Sequence, residues 1–179
     1  MLKAISIIVA LLALAVIAIL IIASQKPDTL HVERSLAIKA PPEKLFAQIN
    51  DLKLWQAWSP YEKKDRNMKR TLSGAPAGKG AVYAWDGDKN VGAGRMEITE
   101  SIPGSKVLIK LDFFKPFEGH NVATFTFTPQ GDTTTVTWAM DGPAPMLTKV
   151  MSLFFSLDKM IGDDFAQGLL NLKALAEKQ

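Results

Sequence analysis

The chain has 179 residues and a net charge of +3, and 47% of its residues are apolar. This length suits one ordinary domain and an appendage. The absence of cysteine excludes disulfides, thiol catalysis and thiolate metal sites, and the charges form no basic stripe interleaved with aromatic residues, which argues against a nucleic-acid partner.

The first element is an apolar segment over residues 4–23, AISIIVALLALAVIAILIIA, which only Ser6 interrupts. As a helix with a rise of 1.5 Å per residue it would be about 30 Å long, the thickness of a bilayer hydrocarbon core. A cleavable signal peptide has a shorter apolar region, of about 7–15 residues. The sequence therefore predicts a single-pass transmembrane anchor over residues 1–25. Ala23-Ser24-Gln25 leaves cleavage open as the alternative.

The side of the membrane is predicted from the few charges near this segment. Lys3 lies before it, and Lys26 and Arg34 lie after it. Large domains are translocated largely regardless of their charge. We expect a short cytoplasmic N-terminus and an exported domain in the periplasm or another extracytoplasmic space.

A polar linker over residues 26–30 precedes a folded domain that we assign to residues 31–179. LHVERSLAIKA reads as the first strand, and APPEK as the entry of a helix, because proline suits the first turn and Glu43 favours the helix N-terminus. The stretch LKLWQAWSPY follows, with Trp55 and Trp58 three residues apart and Ser59-Pro60 ending the turn. The sequence leaves three alternatives for what these large rings face: a packed core, a ligand cavity or a partner surface.

Six further strands are predicted between about Met68 and Met140, separated by turn signals such as Pro103-Gly104. In HNVATFTFTP the apolar side chains alternate with threonines, and TTTVTWAM alternates in the same way. This pattern is typical of an antiparallel sheet with one covered and one wet face. The C-terminal segment MLTKVMSLFFSLDKMIGDDFAQGLLNLKALAEKQ has apolar residues at helical spacing, which predicts one long amphipathic helix as the cover. Gly162 and Gly168 would let it approach the sheet closely.

The polar residues form no legible catalytic or metal motif. GAPAGKG lacks the spacing and the final Ser or Thr of a phosphate-binding loop, and the two histidines lack a compact ligand spacing. If Met96 and Ile98 point inward, Glu100 does so too, either as a polar group of a cavity or as the partner of a basic side chain. Glu100, Asp112 and His120 are the acid–base candidates of an enzymatic interpretation. No cofactor and no metal are expected.

The order of these elements, with APPEKLFAQINDLKLWQAWSP, GAVYAWDGDKNVGAGRMEI, LDFFKPFEGHNVATFTFTP and TVTWAM, resembles the START-like (SRPBCC) superfamily. Within it the chain is most similar to membrane-anchored polyketide cyclase/dehydrase-like proteins. The resemblance implies an α+β helix-grip fold, in which a seven-stranded curved antiparallel sheet is wrapped on a long C-terminal helix with a cavity between them. It also implies that Trp58 and Tyr61 line or cap the cavity mouth, while Trp55 packs the short helices.

Three functions follow as hypotheses. The first is membrane-tethered binding of a hydrophobic small molecule or lipid without catalysis. Its predicted ligand-binding residues are Trp58, Tyr61, Tyr83, Trp85, Glu100, Phe113, Phe125, Trp138, Met140 and Phe154. The second is a polyketide cyclase/dehydrase-like enzyme acting on an aromatic or polyketide-like substrate. The third is a protein-interaction module without a ligand, which an interior packed solid by aromatic side chains would favour.

Overall fold

A computed structural model describes residues 2–178 of the chain. The helices are α1 (Leu2–Ser24), α2 (Pro42–Asn50), a 3-10 helix (Leu52–Ala57), α3 (Tyr61–Lys64), α4 (Met146–Phe154) and α5 (Leu157–Ala176). The strands are β1 (Thr29–Ile38), β2 (Lys69–Gly74), β3 (Ala81–Asp86), β4 (Ala93–Ile102), β5 (Lys106–Lys115), β6 (Gly119–Gln130) and β7 (Thr133–Pro143).

The seven strands form one antiparallel sheet in the order β1-β7-β6-β5-β4-β3-β2. Strands β2 to β7 are joined by hairpins, whereas α2, the 3-10 helix and α3 carry the chain from β1 at one edge to β2 at the other. The alternation in β6 decides its inner face, because Ala123, Phe125 and Phe127 are buried while the intervening threonines are half-buried. The curved sheet and the long α5 confirm the α+β helix-grip prediction.

Helix α5 packs mainly across β1 and also contacts β7. Two glycines permit this approach. A Cβ atom on Gly168 would lie 2.8 Å from Cζ3 of Trp138, and one on Gly162 would lie 2.0 Å from Nη2 of Arg34. The Arg34 guanidinium, in turn, donates to both carboxylate oxygens of Asp158, at 3.0 and 2.9 Å, so that it joins β1 to the start of α5.

The prediction of one uninterrupted C-terminal helix is wrong. Phe155 has extended backbone angles and ends α4, and the Ser156 side chain accepts a hydrogen bond from the backbone N–H of Lys159 at 3.2 Å. Serine at this position caps a new helix by satisfying one of its free N–H groups. Helix α4 is therefore separate from α5, and it packs against α1.

Helix α1 contains a segment, Lys3–Ser24, that is long and apolar enough to cross a membrane, a property that signal sequences share. Its side chains are exposed over almost the whole length, and Ala23 near its end is fully buried. Four residues, 25–28, connect it to β1. The helix is thus joined closely to the domain at one point while its apolar surface remains free.

A candidate ligand-binding cavity

A cavity of about 1170 Å³ lies between the inner face of the sheet, the 3-10 helix, α3 and the segment from the end of β7 to α5. Every strand except β2 contributes to its wall. Most of the lining is apolar, including the side chains of Leu30, Trp55, Met68, Trp85, Val91, Met96, Ile109, Leu111, Phe113, Ala123, Met140, Ile161 and Phe165. This composition is typical of a site for an apolar small molecule.

The wall facing α5 is an aromatic stack. The rings of Trp138 and Phe165 are parallel within 9°, with their centroids 4.1 Å apart, and the Phe125 ring, tilted by 32°, has its centroid 4.8 Å from that of Trp138. Trp138 is 3% exposed, and its indole N–H is buried without a hydrogen-bond partner in the described chain. Such an orphan donor costs about 1–3 kcal/mol. The stack therefore provides a rigid apolar wall that carries one uncompensated polar group.

The two tryptophans of the 3-10 segment are fixed from behind by backbone carbonyls. Trp55 Nε1 donates to Ile49 O at 2.9 Å and Trp58 Nε1 donates to Gln48 O at 3.2 Å, which ties both rings to α2. Trp55 lines the cavity. Trp58 is fully buried between Trp55, Phe125 and Trp138, and it lies in the core. Its placement at the cavity mouth was therefore wrong.

A polar cluster interrupts the apolar wall on the side of β2 and β3. The Tyr83 hydroxyl donates to Glu62, and Nε of Arg70 lies 2.6 Å from the other carboxylate oxygen of Glu62. The Glu62 side chain is only 7% exposed, so Arg70 balances a buried charge. Burial, followed by the bond to Glu62, raises the pKa of Tyr83. The phenol therefore stays neutral and keeps its proton.

A second ionic contact closes the cavity between α3 and α5. Lys64 Nζ lies 2.5 Å from Asp164 Oδ2, and the same ammonium lies 5.2 Å from the centre of the Tyr61 ring. Both charged side chains line the cavity. Burial raises the pKa of Tyr61, so this hydroxyl also remains protonated.

The cavity opens at one end of the sheet. Its rim includes Asn90 after β3, Glu118 after β5, Pro143 at the end of β7 and Met160 at the start of α5. At this end of the sheet β3, β5 and β7 finish, and β1, β4 and β6 begin. Since α1 leads into the start of β1, the N-terminal helix and the cavity mouth lie at the same end of the domain.

The structure places six of the ten predicted ligand-binding residues on the cavity wall and four elsewhere. Those on the wall are Tyr61, Tyr83, Trp85, Phe113, Trp138 and Met140. Trp58 and Phe125 are fully buried behind it. Phe154 is on the outer surface of α4, where it is 63% exposed.

Glu100 also lies off the wall, because the register of β4 shifts between Ile98 and Glu100. Such a β-bulge places two residues opposite one and so reverses the alternation. Glu100 pairs with Leu108 on the outer face and binds Lys106 at 2.8 Å. Its predicted inward orientation was therefore wrong, and its alternative interpretation as the partner of a basic residue is the observed one.

The other acid–base candidates form a pair on the sheet. Asp112 Oδ1 lies 2.7 Å from Nδ1 of His120, and Lys110 lies 3.0 Å from the second carboxylate oxygen. The hydrogen bond with His120 lowers the pKa of Asp112, so this carboxylate stays ionised at neutral pH. Asp112 alternates with the cavity-lining Leu111 and Phe113 and is not itself part of the wall. His120, in contrast, lines the cavity at its exposed end.

Sequence reasoning missed Glu62, Arg70, Lys64 and Asp164. The first three lie in EKKDRNMKR, which has the composition of a solvated loop. The spacing of Glu62 and Arg70 gives no signal, because α3 and β2 bring them together only in the folded chain. No group of three or more metal-ligating side chains occurs within residues 2–178.

The chain matches a known protein family over most of its length. Residues 29–177 match the model of a family described as polyketide cyclase/dehydrase and lipid transport. None of the curated protein sequences matches the chain.

Several solved structures share the fold. A protein from Chromobacterium violaceum is 17% identical, with a TM-score of 0.59 over 86% of this chain and 100% of its own. The Aha1 protein of Colwellia psychrerythraea is 16% identical, with a TM-score of 0.60 over 83% and 97%. The di-domain ARO/CYC StfQ from the steffimycin biosynthetic pathway is 15% identical, with a TM-score of 0.62 over 84% of this chain and 51% of its own. At these identities the likeness concerns the fold alone.

Proposed function

Because the chain belongs to the family described as polyketide cyclase/dehydrase and lipid transport, we propose that it binds a hydrophobic small molecule or lipid in its cavity. We further propose that α1 tethers the domain to a membrane. The observation that carries the binding proposal is the apolar cavity of about 1170 Å³. Pockets for drug-sized ligands measure about 300–1,000 Å³, so the volume suits a lipid chain or a polycyclic compound.

The polar groups of the wall define which end of the ligand is recognised. Tyr83 and Tyr61 present neutral hydroxyls, and the charge of Glu62 is already balanced by Arg70. The Tyr83 hydroxyl donates to Glu62 and can still accept from a ligand hydroxyl, whereas the Tyr61 hydroxyl can donate to a ligand hydroxyl, carbonyl or ester. A free ion would have to displace an existing pair. The aromatic wall at Trp138 and Phe165 suits the remaining apolar part.

Binding without catalysis is favoured over a cyclase reaction by the placement of the acid–base candidates. Glu100 is bound to Lys106 on the outer face, and Asp112 is held by His120 and Lys110 away from the wall. Of the three candidates only His120 borders the cavity, at its exposed end. General acid–base catalysis needs a group within hydrogen-bond reach of the reacting atom. The open cavity also argues against an interaction module with a solid interior.

The test is organic extraction and mass spectrometry of the full chain purified in mild detergent. Ala123 lines the cavity, whereas the next residue, Thr124, faces the opposite side of β6. Ala123→Phe therefore fills the cavity, and Thr124→Phe is the matched control. We expect a compound at near one equivalent in the wild type and in Thr124→Phe, and its loss in Ala123→Phe. Equal recovery from all three proteins would attribute the compound to lipid around α1 and reject cavity binding.

Tethering and orientation are tested separately. The full chain is expected to remain with membranes after alkaline carbonate extraction, and a protease added outside sealed cells or spheroplasts is expected to digest the exported domain. Release by carbonate would show that α1 does not span the membrane.

A further inference from the structure

We propose that α4 and the β5–β6 loop form a membrane-docking surface, which lies in the headgroup boundary of the bilayer that α1 spans. Its residues are Phe114, Phe117, Met146, Leu147, Phe154 and Phe155. The cavity mouth then opens onto lipid rather than onto water. This inference rests on the proposed function, because it needs α1 to be a membrane anchor and the cavity to take up an apolar ligand.

Helix α4 exposes three large apolar side chains and buries its only charged one. Leu147 and Phe154 are 49% and 63% exposed, and Met146 is exposed as well. Its lysine, Lys149, is only 8% exposed and lies 2.5 Å from Asp28. A surface helix in water buries its apolar face and exposes its charges. The pattern of α4 is the one expected where the outside is apolar.

The exposed phenylalanines are concentrated at the same end of the domain. Phe114, near the end of β5, and Phe117, in the β5–β6 turn, are 55% and 59% exposed. Phe155, 58% exposed, follows Phe154 at the end of α4. Each of these segments adjoins the cavity rim. Large apolar side chains clustered on a surface mark an interaction site.

The connection to α1 identifies the bilayer as the occupant of this surface. The four linker residues 25–28 can extend over about 14 Å at most. Ala23 near the end of α1 is fully buried, and α1 packs against α4. The ion pair of Lys149 with Asp28 ties α4 to the linker itself. Where α1 leaves a membrane, α4 is therefore beside the headgroups, at the depth where amphipathic helices insert by about 5–10 Å.

Apolar and basic side chains both lie at this end of the sheet. Lys69 begins β2 opposite the end of β3, and Arg66 and Lys89 lie in the segments just before β2 and just after β3. All three are exposed. Basic residues near a bilayer surface are attracted to anionic lipid, by about 1 kcal/mol each. We therefore expect the apolar side chains to dock on neutral phosphatidylcholine, and docking on anionic bilayers to be at least as strong.

The experiment uses the full chain in phosphatidylcholine vesicles. Because the sequence has no cysteine, Leu147→Cys and Phe154→Cys each carry a single environment-sensitive fluorophore. Ile102→Cys is the matched control, since Ile102 is 42% exposed at the opposite end of the sheet. Lipids with a spin label high on the acyl chain quench a probe that lies at the headgroup boundary.

We expect the probes at 147 and 154 to be quenched at least threefold more than the probe at 102, both in neutral vesicles and in vesicles that contain phosphatidylglycerol. Equal, weak quenching at all three positions would overturn the docking surface. Protection from aqueous iodide without lipid quenching would also overturn it, and would indicate a contact between copies of the chain. Carbonate-resistant anchoring and ligand recovery are read on the same samples, so their failure is distinguishable from failure of docking.

Discussion

Trp138 of β7 and Phe165 of α5 stack face to face, with their ring centroids 4.1 Å apart, and so join the sheet to the C-terminal helix at the wall of the cavity. Both side chains are almost completely buried. The contact therefore serves two purposes, because the same rings that hold α5 to the sheet form the surface that a ligand would meet.

Replacing these two rings is expected to have unequal effects. Phe165→Ala removes one member of the stack and should lower the free energy of unfolding by about 3–5 kcal/mol. Trp138→Phe keeps an aromatic ring and removes the orphan indole N–H, whose burial costs about 1–3 kcal/mol and offsets part of the lost packing. Urea denaturation of the full chain in mild detergent measures both. If both variants lost the same unfolding free energy, removal of the indole N–H would not offset the lost packing, and the N–H would not be an unpaired donor.

Gly168 tests how closely α5 must approach the sheet. Gly168→Ala should improve helix propensity by about 1 kcal/mol. Its Cβ atom would nevertheless lie 2.8 Å from the buried Trp138 ring and 3.1 Å from Pro60. We expect the clash to prevail, with a net loss of about 1–3 kcal/mol in unfolding free energy. Gln167→Ala, on the exposed face of the same helix, should cost almost nothing in the same denaturation assay. A stabilised Gly168→Ala protein would contradict the close packing.

The cluster of Glu62, Tyr83 and Arg70 predicts a clear order of effects. Tyr83→Phe removes one neutral donor and should cost about 1 kcal/mol. Arg70→Met leaves the buried Glu62 carboxylate without its cation and should cost on the order of 3 kcal/mol. The double variant Arg70→Met, Glu62→Leu should recover part of that loss. If Arg70→Met were as mild as Tyr83→Phe in thermal unfolding, Glu62 would not be held as a buried ion.

Asp112 predicts a pH dependence of stability at the acidic end. Its hydrogen bond with His120 lowers its pKa below the ordinary value of 3.8. A depressed carboxyl pKa contributes stability that is present above the unfolded pKa and is lost as the pH falls through the folded pKa. Asp112→Asn should therefore flatten the fall in unfolding free energy below about pH 4. Asp163→Asn, at an exposed site, is the control, and an unchanged slope in Asp112→Asn would refute the role of this pair.

Much of the fold follows from local patterns in the sequence. Strict alternation in β6 and β7 predicts which side chains face inward, and this places Trp138 and Met140 on the cavity wall. The same reasoning applies to Tyr83 and Trp85 in β3 and to Phe113 in β5. These assignments depend only on the period of two residues of a regular strand.

The remaining features depend on contacts that no local pattern encodes. The bulge beside Thr99 reverses the orientation of Glu100, and the cap at Ser156 divides the C-terminal segment into two helices. Whether a buried ring lines a void or packs behind it depends on its distance from the opposing element. Trp55 lines the cavity for this reason, whereas Trp58 and Phe125 are packed in the core.

The central claim, that the cavity takes up an apolar ligand, is tested most directly by energy transfer from the tryptophans to a bound dansyl-labelled fatty acid. Trp55, Trp85 and Trp138 line the cavity and would lie beside the dansyl group. If the ligand binds in the cavity, energy transfer saturates at one equivalent in the wild type and in Thr124→Phe, and it is lost in a folded Ala123→Phe protein. Transfer of equal size in all three proteins, or transfer that never saturates, would contradict cavity binding.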